Sequence, residues 1–131
     1  MTTQTTTIES NKELVRSFYD LAFNQKKPAD AIAKYVGTTY KQHNPTVADG
    51  PKAFIDFVTG FVKQFPQLKV NMKRSIAEGD LVFVHSNLVP VPGQRGMAAA
   101  DVFRVQNGKI VEHWDVLQDV PEKSANTNTM F

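Results

Sequence analysis

Two carboxylates and a histidine share one stretch, Asp101-Val-Phe-Arg-Val-Gln-Asn-Gly-Lys-Ile-Val-Glu-His-Trp-Asp115. Apolar residues on either side of an Asn-Gly pair mark this as a β-hairpin. Ionisable groups are costly to bury among residues such as Val102, Phe103, Val105 and Val111 unless they find a partner, water or a task. An aspartate next to a histidine on the wall of an apolar pocket can move a proton near neutral pH. Acid/base chemistry is therefore the first expectation.

Whether these groups meet depends on the hairpin register. A two-residue turn pairs Asp101 with Trp114, whereas a three-residue loop with Gly108 as the bulge residue pairs Asp101 with His113. The second register is the one expected. It places Asp101, Phe103, Val105, Val111, His113, Asp115 and Leu117 on one face and Arg104, Glu112 and Trp114 on the other, and a slip of one residue reverses the assignment. A loop centred on Gly93 then sets His85 opposite Asp101. His85, Asp101 and His113 would form a row across three strands, with Cβ atoms roughly 4.5 to 5.5 Å apart. The remaining histidine lies in Tyr40-Lys-Gln-His43-Asn44-Pro45, where Pro45 restricts Asn44 to an extended conformation. His43 and Asn44 are expected at the pocket mouth. Each histidine alone also fits an ordinary structural role, and Asp101 with a histidine also fits a structural ion pair.

The elements that must carry these residues can be read from periodicity. Ser10-Asn-Lys-Glu13 has the capping-box pattern, and Leu14, Val15, Phe18, Leu21 and Ala22 follow on one helical face. A second helix is expected from Pro28 to about Val36, stopped by Gly37, and an irregular polar segment follows it. A third helix opens at Asp49-Gly50-Pro51 and carries Phe54, Phe57, Val58, Phe61 and Val62 at helical spacing up to Phe65-Pro66. After Pro66 the pattern alternates. Leu68, Val70 and Met72 begin one strand, Leu81 to Val89 a second, Met97 to Val105 a third and Lys109 to Gln118 a fourth. Three helices packed on one face of a four-stranded or larger antiparallel sheet give an α+β domain with room for a pocket. Tyr19, Phe57 and Phe103 are the aromatic candidates for its wall. Trp114, on the outer face, points to a homodimer built on the back of the sheet.

The bulk properties narrow the function. The chain has 131 residues, 41% hydrophobic and 21% charged. That length and balance suit one domain. Its expected extent is 10–122, with a disordered segment at 1–9 and a polar tail at 123–131. The apolar tip of that tail, Met130-Phe131, could instead cover a pocket or dock on a partner subunit. There are 15 Lys and Arg against 13 Asp and Glu, and with no basic stripe they do not indicate nucleic acid. There is no cysteine, and neither an apolar signal-peptide core nor a membrane-length run, so a soluble cytoplasmic protein is expected. No His-x-x-x-His spacing, nucleophile elbow or glycine-rich phosphate loop occurs, and neither metal nor organic cofactor is expected.

His43-Asn44-Pro45 with Gly50, together with the Asp101 to Asp115 hairpin, resembles the SnoaL-like polyketide cyclases of the nuclear-transport-factor-2-like superfamily. The resemblance runs from Asn11 to about Glu122. It implies a cone of three helices wrapped by a strongly curved antiparallel sheet, dimeric through the sheet's outer face. It also implies intramolecular aldol ring closure, with a pocket Asp as acid/base and no metal or organic cofactor. That Asp corresponds to Asp101 or Asp115. The related ketosteroid isomerases keep an Asp protonated at the strand position of Asp101 to hydrogen-bond an oxyanion. Their base, an Asp before a Pro, corresponds to Asn44 here, and an amide cannot abstract a proton. The expected function is cofactor-independent acid/base catalysis on an apolar carbonyl compound. Asp101 would move the proton with His113 and His85 assisting, and Asn44 and His43 would position the oxygen. The alternative is a non-catalytic dimeric binder of a small molecule in the same pocket.

Overall fold

A computed structural model describes the backbone from residue 2 to 131 and side chains from Thr7 onward. The first helix, α1 (Thr2–Tyr19), continues into a π-helical turn at Asp20–Asn24, and α2 (Pro28–Tyr35) follows. Strand β1 (Val36–Gln42) precedes α3 (Pro51–Gln64), and then come β2 (Lys69–Glu78), β3 (Leu81–Val89), β4 (Met97–Gln106) and β5 (Lys109–Asp119). The α+β class stands, with three helices on a five-stranded sheet of order β1-β5-β4-β3-β2. All neighbours are antiparallel except β1, which runs parallel to β5.

Three boundaries differ from the sequence reading. The helix starts well before Ser10, because extending an existing helix through threonines costs only tenths of a kcal/mol per residue. Gly37 does not stop α2 in a left-handed turn; it lies inside β1, where an added Cβ would stand 3.5 Å from Val111 Cγ1. The segment expected to be irregular stays so from His43 to Gly50, but its first part, as far as Gln42, is thus a strand. Its partner is the edge of β5, far away in sequence, so a local reading could not see it.

The core gathers where the helices meet the inner face of the sheet. Val15 and Phe18 from α1, Phe54 and Val58 from α3, and Val82, Val84, Phe103 and Ile110 from the sheet are all buried. Phe18 joins the layers, its ring centroid 5.1 Å from Phe54 and 6.1 Å from Phe103. Such aromatic contacts fix the tilt of α1, and with it the place of its last residue, Tyr19.

The hairpin between β4 and β5 takes neither register considered from the sequence. Asn107 and Gly108 both have positive φ, 53° and 72°. They form a two-residue turn that pairs Gln106 with Lys109. A bulge between Arg104 and Val105 on the ladder then advances β5 by one residue, so Phe103 faces His113 and Asp101 faces Asp115. The shift relative to the expected register is an even number of residues, so the grouping by face survives although the partners change. Ile110, fully buried, takes the inward core place expected of Val111.

The hairpin between β3 and β4 is offset by one residue, and there the consequence is larger. Val84, not His85, lies opposite Asp101, and His85 pairs with Ala100. His85 therefore points to the outer face, where it meets Arg74 and the ring of Phe131, 5.5 Å away. Lys73 Nζ stands over the same ring at 5.7 Å, so the apolar tip of the tail rests on the back of the sheet. No helix among the described residues is long and apolar enough to cross a membrane.

Candidate active site

The inner face of the sheet and the ends of α1 and α3 enclose a cavity of about 260 Å³. Its wall is mostly apolar, with Tyr19, Phe23, Phe57 and Phe61 from the helical side and Val70, Leu88, Met97, Ala99 and Leu117 from the sheet. The polar exceptions are Asn44, Thr46, Asp101 and Asp115. An apolar chamber with a few convergent polar groups suits a small organic molecule.

Asp101 and His113 are 2% and 4% exposed, so each must find its partners inside the protein. Asp101 Oδ1 lies 2.8 Å from His113 Nε2 and accepts the Tyr19 hydroxyl at 2.5 Å. Tyr19 also lies 3.3 Å from His113 Nε2. Oδ1 is thus committed to these two groups, which leaves Oδ2 for the cavity that Asp101 lines. Phe103 packs edge-on against Tyr19 at 5.0 Å and tilts against His113 at 4.7 Å, sealing the cluster from behind.

Gln42 fixes the histidine tautomer. Its Oε1 accepts the backbone N–H of Asn44 at 3.0 Å, and its Nε2 lies 3.4 Å from the Tyr40 hydroxyl, which settles the orientation of the amide. The same Oε1 lies 2.8 Å from His113 Nδ1. A carbonyl oxygen can only accept, so Nδ1 carries a hydrogen. The proton that can move therefore lies between Nε2 and Asp101 Oδ1. Tyr40, stacked on the imidazole with an interplanar angle of 12°, holds the ring in plane.

Asp115 stands directly across the ladder from Asp101. Its Oδ2 accepts Asn44 Nδ2 at 3.1 Å and lies 3.9 Å from His113 Nε2. Burial raises its pKa first, with the neighbouring Asp101 charge adding to the rise, while His113 and the Asn44 hydrogen bond oppose it. Tyr19 is held well above the usual phenol range by burial and by Asp101, so it stays a proton donor. Tyr40 is raised as well, chiefly by burial. Ligand atoms of Asp101, His113 and Asp115 lie within 4.8 Å of one another, the nearest approach to a metal-binding set among the described residues. A metal on Nε2 and Oδ1 would displace the proton those two atoms share, so such binding would compete with protons.

Of the residues expected at the site, Asp101, His113, Asn44, Asp115, Tyr19 and Phe57 are there. Phe103 supports the site without lining the cavity. His85 is on the outer face for the register reason already given. His43 is also outside: its ring stacks on Trp114 at 4.8 Å, and its Nε2 lies 2.6 Å from Glu112 Oε2. Just past the end of β1 the His43 N–H still bonds the His113 carbonyl, so the alternation of that strand carries on, with Asn44 turned inward and His43 outward. Gln42, Tyr40 and Thr46 were missed. The period-two series Tyr40, Gln42, Asn44 would have found the first two had β1 been read as a strand.

The helix-wrapped curved sheet, with a buried Tyr–Asp–His cluster beside an apolar chamber, defines the class as a cone-shaped α+β pocket protein. Comparison with known proteins then gives the family. The sequence pattern of the SnoaL-like polyketide cyclases matches residues 13–123, and the chain belongs to that family. Similar solved structures include a candidate polyketide cyclase from Bacillus cereus, 19% identical, with a TM-score of 0.70 over 82% of this chain and 74% of that one. TsrD from Streptomyces laurentii is 19% identical, with a TM-score of 0.66 over 83% of this chain and 88% of that one. AclR from Streptomyces galilaeus, described as a hydroxylase candidate, is 22% identical, with a TM-score of 0.67 over 85% and 90% of the two chains. At such identities the likeness establishes the fold. No curated protein matches the sequence.

Proposed function

We propose that the protein is a cofactor-independent enzyme that moves a proton α to a carbonyl in an apolar compound, as an aldol cyclase or an isomerase does. The observation that carries this reading is the Tyr19–Asp101–His113 cluster, whose free carboxylate oxygen opens into the apolar cavity beside Asp115. Asp101 Oδ2 takes the α proton, and the C–H electron pair moves into the carbonyl to give an enolate. The proton between Oδ1 and His113 Nε2 stays on the imidazole, which keeps Asp101 anionic before the transfer and able to accept. Asp115, biased toward its neutral form, donates a hydrogen bond to the enolate oxygen, and Asn44 holds its carboxyl in place. In an aldol closure the enolate carbon attacks a second carbonyl, and the resulting alkoxide recovers the proton from Asp101. In an isomerisation the proton returns to a different carbon.

The test uses exchange of α protons for deuterium on β-tetralone in D₂O, followed by NMR. The wild-type protein accelerates exchange, and Asp101→Asn loses roughly 10²- to 10⁴-fold of that acceleration, the usual worth of general acid/base catalysis. Equal exchange by the two proteins would sink the reading in favour of a non-catalytic binder.

The same reading includes a homodimer through the outer sheet face. Ile76, Leu81 and Val116 are 61%, 41% and 74% exposed there, on β2, β3 and β5, with Val116 two residues along β5 from Trp114. They form an apolar surface that a second copy would cover. Light scattering on Val116→Glu should then give a monomer where the wild type gives a dimer.

A further inference from the structure

The inner face of β3 reads Val82, Val84, Ser86, Leu88, an apolar series interrupted by one hydroxyl. Ser86 is 0% exposed, and its Oγ is the single buried side-chain nitrogen or oxygen among the described residues without a hydrogen-bond partner. Burying a hydroxyl unpaired is costly, so its retention in an otherwise apolar row calls for a role. Alanine would fit the same place, as Ala99 does directly opposite on β4.

The surroundings of Ser86 indicate that role. Leu88 is two residues along its own strand, Ala99 is its cross-strand partner, and Met97 and Asp101 are its diagonal neighbours on β4. All four line the cavity. On the other side Ser86 pairs with Met72, and the nearby Val70 again lines the cavity. Ser86 thus sits within the chamber's sheet floor, behind lining side chains of which Met97 is unbranched and turns easily.

We propose that Ser86 is a second polar anchor of the ligand, reached when one of these side chains swings aside. This rests on the reading of the chamber as the substrate site and specifies its substrate class: an apolar, ring-sized compound with two oxygen functions. One oxygen lies at Asp101, Asp115 and Asn44. The other lies at the diagonal spacing of the sheet, roughly 7 to 8 Å away. A serine hydroxyl both donates and accepts, so the distal group is a hydroxyl or a carbonyl. Ser86 touches no reacting atom and acts on specificity.

The experiment compares β-naphthol with naphthalene-2,6-diol, which adds a hydroxyl at the far end of the same ring system. Affinities come from titrations that follow the amide resonances of Ala99 and Leu117. Wild type prefers the diol by roughly four- to twenty-five-fold, the worth of one neutral hydrogen bond multiplied by two because either hydroxyl of the symmetric diol can enter first. Ser86→Ala reduces the preference to the statistical factor of about two, keeps its affinity for β-naphthol and does not melt at a lower temperature, since it removes a hydroxyl that has no partner. An equal preference in both proteins, or none in the wild type while β-naphthol still binds in the chamber, would overturn the role of Ser86 alone. If neither compound shifts those resonances, the chamber reading falls and this inference with it. A preference unchanged by Ser86→Ala but lost in Asp101→Asn would assign the second anchor to the acid cluster instead.

Discussion

Glu112 and His113 are consecutive residues of β5, yet each belongs to a different histidine–carboxylate pair. Inside, His113 lies 2.8 Å from Asp101, both nearly inaccessible and next to an apolar chamber. Outside, Glu112 lies 2.6 Å from His43 and 2.9 Å from Arg104, on a face that solvent reaches. The outer pair is the shorter of the two. Its environment is what differs: His43 holds Oε2 of Glu112 and Arg104 holds Oε1, so no carboxylate oxygen there is left over for a ligand. The inner pair sits in a medium where every missing partner is costly, with one carboxylate oxygen left over for a ligand. Distance between a histidine and an acid is therefore a poor guide to function, and burial next to a cavity is a better one.

This contrast can be broken by matched substitutions. The largest expected effect is on stability and activity together. Asp101→Ala leaves His113 and Tyr19 without their acceptor and should cost about 3 to 5 kcal/mol in urea unfolding, the range for breaking a buried charge pair, besides ending exchange on β-tetralone. A loss below about 1 kcal/mol, the worth of an exposed pair, would place the inner pair in the same class as the outer one.

Gln42→Leu comes next. It removes the acceptor of His113 Nδ1 and of the Asn44 N–H, and should destabilise by about 1 to 3 kcal/mol. It should also shift the His113 tautomer, visible in the ring ¹⁵N spectrum. An unchanged ring spectrum would mean that Gln42 does not choose the tautomer.

Asp115 and Glu112 respond to pH in opposite directions. The folded-state pKa of Asp115 is raised, chiefly by burial, so its contribution to stability is complete below the unfolded carboxylate value and lost as pH rises through the folded value. Asp115→Asn should therefore raise the melting temperature at neutral pH and not at pH about 3. Glu112 is lowered, first by its hydrogen bond with His43, so its contribution is present above the unfolded value and lost as pH falls through the folded one. Glu112→Gln should weaken the protein slightly at neutral pH, by about 1 kcal/mol or less, and leave exchange on β-tetralone intact. Thermal melts across pH check both signs, and a common direction would contradict the assignment of environments.

Much of this was legible along the chain because it depends on local periodicity. The Phe-rich face of α3 and the alternation after Pro66 read directly, as did the change from helical to strand patterning, since side-chain spacing of 3.6 and 2 is written in the sequence. Sorting Asp101, His113 and Asp115 to one face and Glu112 and Trp114 to the other was legible too, because an error of two residues preserves parity. His85 shows the opposite case. A one-residue difference in the loop around Gly93 carried it from the expected site to the back of the sheet. Loop length and bulges are set by fine backbone geometry that residue types only loosely restrict.

The sequence by itself determined an α+β domain and supplied a pocket's carboxylates, histidine and aromatic wall, because burial patterns and residue chemistry are local properties. Only the tertiary structure decided that β1 closes the sheet alongside β5 and brings Gln42 to His113 and Asn44 to Asp115. It also decided that Tyr19, at the end of α1, reaches Asp101. These contacts join residues up to 82 positions apart. Their geometry follows from how helices tilt on a twisted sheet, which depends on the packing of the whole core and is not encoded in any one segment.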